Sequence, residues 1–97
     1  MYVAKQRVYL NIIILLEKNY IMSNLFTKVI NDRQFNFQPF EFGEQTGYHV
    51  DVKDEDGTRW EFRMLRDNDQ WKMEAEKMPT WILNAEPEIV NAIYEHD

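Results

Sequence analysis

Residues 48–64, "YHVDVKDEDGTRWEFRM", decide what kind of fold this chain adopts. Tyr48, Val50 and Val52 alternate with His49, Asp51 and Lys53; Trp60, Phe62 and Met64 alternate with Arg59, Glu61 and Arg63. Successive side chains of a strand point to opposite faces, so each run reads as a strand with one apolar and one polar side. "DEDG" turns the chain between them. Pairing must keep the two apolar sides together. A two-residue Asp56-Gly57 turn would set Val52 opposite Glu61 and mix the faces. A three-residue loop, Glu55-Asp56-Gly57, sets Val52 opposite Trp60 and Val50 opposite Phe62. It also places Gly57 at the left-handed position that such loops favour. Asp51 then lies beside Glu61, with Arg59 and Arg63 on the diagonals.

The pattern extends in both directions. Upstream, "QFNFQPFEF" (34–42) puts Phe35 and Phe37 in one phase and Phe40 and Phe42 in the other. A bulge at Gln38-Pro39, on an edge strand, would turn all four rings inward. "GEQTG" (43–47) is a turn. Downstream, "WKMEAE" (71–76) alternates, with Trp71, Met73 and Ala75 inward. Setting Met64 opposite Trp71 leaves Asp67-Asn68 as the loop and pairs Arg66 with Asp69. The expected strands are 34–42, 48–53, 58–66 and 71–76.

Helices are expected on either side of these strands. Over 23–33, Ser23 is a good N-cap and Leu25, Phe26, Val29 and Ile30 share one helical face. Over 85–96, Ile89, Val90 and Ile93 form the buried stripe, Asn84 is the cap, and Glu86 and Glu88 sit at the positive end of the helix. Before it, Pro79 ends the ladder and starts a short turn through Trp81 and Leu83. The sum is an α+β fold, a four-stranded antiparallel meander with a helix before and a helix after, both packed on one face. The order helix, three strands, helix resembles a double-stranded RNA-binding domain in topology. That resemblance would imply a basic clamp, whereas the last helix begins "NAEPEIV" (84–90), without a Lys/Arg cluster.

The first 21 residues stand apart. Val8–Leu16 is an apolar run broken only by Asn11. It is shorter than the roughly 20 residues of a spanning helix, and no small-residue cleavage site follows it. Three consecutive Ile favour a strand, yet Tyr9, Ile12, Ile13, Leu16 and Tyr20 also fit one helical stripe. Lys5, Arg7 and Lys18 against Glu17 make this segment basic, while the rest of the chain carries 8 basic and 16 acidic side chains. The expected division is an extension over 1–21, either a strand, a dimer seam or an appended leader, and a single α+β domain over 22–97. A natural start at Met22 is the favoured reading.

Composition narrows the function. Ninety-seven residues with 44% hydrophobic content support one folded domain. The chain has no Cys, which excludes disulfides, thiolate chemistry and Cys-type zinc sites and favours the cytoplasm. The formal net charge of −6 repels phosphate backbones and favours basic surfaces. Ser23 is the only serine, and the histidines are His49 and His96. No nucleophilic triad follows from these. Read as a calcium loop, "DVKDEDG" would need acidic ligands where Val52 and Arg63 stand. His49, Asp51, Glu61 and Arg63 share the polar sheet face, a solvated setting that does not shift pKa values for catalysis.

No catalytic residue, metal site or cofactor is expected. Trp60 and Trp71 fall on the core face, so the candidate binding residues are Trp81, Phe40, Phe42 and Met78. The expectation is a small, acidic, cytoplasmic, non-catalytic protein-interaction or regulatory module, binding protein rather than nucleic acid or membrane. The N-terminal segment offers a seam for a homodimer. The alternative is an apolar-ligand pocket between sheet and helices.

Overall fold

The computed structural model describes residues 25–96. Five strands follow one another: β1 (Phe26–Ile30), β2 (Arg33–Phe42), β3 (Gln45–Lys53), β4 (Arg59–Asp67) and β5 (Gln70–Glu74). They form one antiparallel sheet in chain order. Two helices follow, α1 (Thr80–Leu83) and α2 (Glu86–His96). The α+β meander is present, but it has five strands, and both described helices come after the sheet.

The helix expected over 23–33 is corrected to a strand and a turn. Leu25, Phe26, Val29 and Ile30 fit a helical stripe, yet they fit strand alternation equally well once split in two. Phe26 and Ile30 face the core, while Leu25 and Val29 are 47% and 63% exposed. The turn decides between the two. Asn31 and Asp32 have φ of 53° and 64°, and β1 resumes as β2 with Ile30 opposite Arg33. Two consecutive left-handed residues are the signature of a type I′ hairpin, which Asn and Asp tolerate. Among the described residues the order is five strands and then two helices, in place of the helix, three strands and helix of a double-stranded RNA-binding domain. Ser23 and the whole of 1–21 lie outside the described residues.

The bulge at Gln38-Pro39 is also corrected. Phe37 pairs with Val50, Gln38 with His49, Pro39 with Tyr48 and Phe40 with Gly47, without a skipped residue. Nor is β2 an edge, because β1 lies beside it as far as Phe37. Phe35 and Phe37 are buried, and Phe40 and Phe42 therefore point to the other face. The turn at 43–47 shortens to Gly43-Glu44, with Gly43 at φ +60°, and Gly47 lies inside β3.

Between β3 and β4 the expected register holds: Val52 opposite Trp60, Val50 opposite Phe62, Asp51 opposite Glu61. Gly57 has φ +82°, and its N–H donates to the Asp54 carbonyl at 3.1 Å. Between β4 and β5 the pairing moves by two residues from expectation. Met64 meets Met73 and Arg66 meets Trp71, so the turn is Asn68-Asp69, at φ 50° and 66°. Arg66 meets Asp69 across that turn as an ion pair at 2.6 Å instead of across the ladder.

The core lies between the inner sheet face and the helices. Phe35, Phe37, Val50, Val52, Met64, Ile82, Ile89 and Ile93 are all less than 2% exposed. Full burial of such a side chain contributes roughly 1.5–3 kcal/mol, so this set dominates stability. Val90, expected in the buried stripe, is only half-buried. Asn84 ends α1, its N–H donating to the Thr80 carbonyl at 2.8 Å. Glu86 accepts the Met73 N–H at 3.0 Å, tying the start of α2 to edge strand β5. At the far end, Lys28 pairs with Glu95 at 3.4 Å and the Phe26 ring stacks on His96 at 4.0 Å.

The Asn31-Asp32 turn yields a test with opposite signs for the two structures. Asp32→Gly should raise stability by about 0.5 kcal/mol in urea unfolding, since Gly carries no steric cost at φ 64°. In a helix the same change would lower stability by roughly 0.5–1 kcal/mol.

Candidate functional site

The face of the sheet away from α1 and α2 carries the groups with chemistry to offer. Across β1 to β5 it presents Leu25, Thr27 and Val29, then Gln34, Asn36, Gln38, Phe40 and Phe42, then His49, Asp51 and Lys53, then Arg59, Glu61 and Arg63, then Lys72 and Glu74. Its charges are mostly spent on one another. Asn36 Nδ2 donates to Asp51 Oδ1 at 2.7 Å, and Arg59 lies 3.0 Å from Asp51 and 3.3 Å from Glu61. Arg59 thus separates the two carboxylates from its diagonal position. Arg63 instead reaches across to Glu74 on β5. These pairs are solvated and each contributes roughly 0–1 kcal/mol. A shallow groove runs between them, lined by Gln38, His49, Asp51, Arg59, Glu61 and Arg63.

Phe40 is held by this network. Its ring lies 4.5 Å from His49 and 5.8 Å below the Arg63 guanidinium. It also covers Gly47, opposite it on β3: a Cβ there would stand 2.8 Å from the ring and 2.4 Å from the Met64 carbonyl oxygen. Half-buried Phe40 closes a gap left by a glycine, and that is a structural task. Phe42 differs. It stands at the tip of the β2–β3 hairpin, 82% exposed.

Trp81 and Met78 are on the other side of the sheet. Both pack half-buried against the core. Trp81 meets Phe35 edge-on at 6.4 Å, and the Arg33 guanidinium lies 5.0 Å over its ring. Arg33 in turn pairs with Glu55 at 3.1 Å. The four candidates are thus not one patch: Phe40 and Phe42 belong to the open face, Trp81 and Met78 to the helix side. The exposed Leu25 and Val29 join the open face instead. Alternation over 25–30 was the signal for them, masked by the equally good helical stripe.

The acidic loop is occupied with its own backbone. Asp54 Oδ1 accepts the N–H groups of Asp56 and Thr58 at 2.9 and 3.0 Å, and Oδ2 accepts the Trp60 indole N–H at 3.2 Å. Burial acts to raise the Asp54 pKa, but these hydrogen bonds and the Arg33 charge outweigh it and hold the group below its ordinary 3.8. Among the described residues no three His, Cys, Asp or Glu side chains converge as a metal site. No described helix is long and apolar enough to cross a membrane.

The depressed Asp54 pKa fixes the sign of a pH effect. The ionised group stabilises the fold above 3.8, and the contribution is lost as pH falls from there through the lower folded value. Asp54→Asn should lower the urea midpoint at neutral pH. The gap from the parent should narrow between about pH 5 and about pH 2. Parallel pH profiles for the two proteins would refute this role. Gly47→Ala should cost about 1–3 kcal/mol in the same assay, since Met64 backbone blocks the new methyl.

Comparison with family models, with curated proteins and with solved structures finds no match.

Proposed function

We propose that this chain is a non-catalytic protein-interaction module of the cytoplasm, and that its open sheet face, led by Phe42, meets the partner. The observation that carries this reading is the 82% exposure of Phe42 at a hairpin tip. Nothing in the fold is gained by showing a phenyl ring to water, whereas aromatic side chains are enriched at protein interfaces. Leu25 and Val29 add apolar area on the same face. The partner is a protein rather than a nucleic acid, in keeping with the net charge of −6. The runner-up, an apolar ligand between sheet and helices, would have to displace Phe35, Phe37, Met64 and Ile89, which already pack there.

The test separates contact from fold. With the endogenous protein tagged at its C-terminus, Phe42→Ala should release a partner that the parent captures in stoichiometric amount. Its urea midpoint should stay within about 0.5 kcal/mol of the parent, as for a surface change. Phe40→Ala should instead cost roughly 1 kcal/mol, because that ring is half-buried. An unchanged partner set after Phe42→Ala would sink the proposal.

A further inference from the structure

The two edges of the sheet are finished differently. A two-residue turn bonds the residues that flank it, and bonded pairs then alternate with unbonded ones along the ladder. Beside the Asn68-Asp69 turn, Asp67–Gln70 is the first bonded pair, so Trp71 and Met73 turn their backbone N–H and C=O groups outward. Helix α2 guards that edge. Glu86 accepts the outward Met73 N–H at 3.0 Å, and the Tyr94 hydroxyl donates to the Asp69 carbonyl at 2.7 Å. Beside the Asn31-Asp32 turn, Ile30–Arg33 is the first bonded pair, so Phe26 and Lys28 bond to β2 while Thr27 and Val29 turn outward. Among the described residues no strand lies beyond β1. Leu25 and Val29, along this edge, are the exposed aliphatic side chains of the open face. Unpaired backbone beside such side chains is a template for another strand.

The chain supplies the candidate. It enters β1 from the apolar run Val8–Leu16 through residues 17–24, and each described strand lies beside its neighbour in sequence. Hydrogen-bond parity selects the register. A turn at Lys18-Asn19 would call on the amides of Phe26 and Lys28, which β2 already uses. A turn at Glu17-Lys18 would use the outward amides but set Arg7 opposite Lys28, like charge against like. A turn at Asn19-Tyr20 also uses the outward amides, pairing Leu25, Thr27 and Val29 with Ile14, Ile12 and Leu10. It sets Ile13 opposite Phe26 and Tyr9 opposite Ile30. Asn11, the one break in the apolar run, then meets Lys28, the one charge of β1. Asn opens this turn as Asn31 and Asn68 open theirs. We infer that residues 9–14 of the same chain add to the outer edge of β1 as a further antiparallel strand in this register. The run is then part of the domain, which sets aside a start at Met22.

The test uses the purified full chain, without a partner. In amide hydrogen exchange read by NMR, Thr27 and Val29 should be protected to about the same degree as Lys28, whose N–H bonds to β2. With nothing outside β1 they should exchange at least about tenfold faster than Lys28. The absence of Cys allows a second readout. Asn11 and Lys28 form an unbonded pair in this register, with Cα atoms about 4.5 Å apart, within reach of a disulfide. The double variant Asn11→Cys, Lys28→Cys should close a disulfide within one chain under mild oxidation, identified by mass spectrometry of the linked peptides. Leu10→Cys with Lys28→Cys, which points to opposite faces, should close at least about tenfold more slowly. Fast exchange at Thr27 and Val29, equal closure of the two variants, or no closure would overturn the inference. So would a disulfide joining two chains, which would make the edge of β1 a dimer seam. Neither readout involves Phe42, so this inference and the partner of the open face fail separately.

Discussion

Everything in this fold hangs on the parity of the strand ladder. Neighbouring strands are joined by turns of two or three residues, and side chains alternate strictly between faces. Once Val52 meets Trp60, the face of every residue from Phe26 to Glu74 follows. Phe35 and Phe37 are sent to the core by the same rule that sends Phe40 and Phe42 away from it. Only a bulge could have changed this. The ladder runs through Pro39 without one, and β1 pairing along that stretch reaches Phe37 among the described residues. The open face with its aromatic hairpin is thus a consequence of register.

Parity also marks the limit of what sequence could say. The β3–β4 pairing was legible because its alternatives differ by one residue and therefore swap faces. The β4–β5 pairing was not, because setting Met64 against Trp71 or against Met73 keeps both on the core face. The arbiter was local: an Asn-Asp pair tolerates two left-handed residues, at 68–69 as at 31–32. The first strand was missed for a related reason. Apolar residues four apart satisfy both a helix and a strand, and the Asn31-Asp32 turn was the overlooked arbiter. The expected bulge came from assuming that a phenylalanine must be inside, when burial of apolar groups is a rule with many exceptions.

The candidate site was legible in part. Phe42 stands where a binding aromatic would stand, but Phe40 is engaged by Gly47, a neighbour distant in sequence and visible only once the ladder is built. Trp81 and Met78 proved to be pieces of the core margin. The exposed large hydrophobic side chains among the described residues sort onto two surfaces: Leu25, Val29 and Phe42 on the open sheet, Leu83 and Tyr94 on the helix layer. Sequence periodicity assigned Val90 to the core because Ile89 and Ile93 are its neighbours. On a helix with apolar residues on two sides, only packing tells which side is covered.

The way α2 is fastened has a kinetic consequence. Every strand pairs with its neighbour in the chain, so the sheet closes through short loops, at small entropic cost. The helices join distant parts: α1 to Arg33 and Phe35 of β2 through Trp81, and α2 to β5 through Glu86 and to Lys28 and Phe26 of β1, the Lys28–Glu95 pair spanning 67 residues. The meander is quick to form but has one bare apolar face until α2 lies across it. Closure of the core in this protein therefore waits on the helices that follow β5. A nascent chain stalled before Glu86 would hold a paired sheet whose core stays open to chaperones and to other chains.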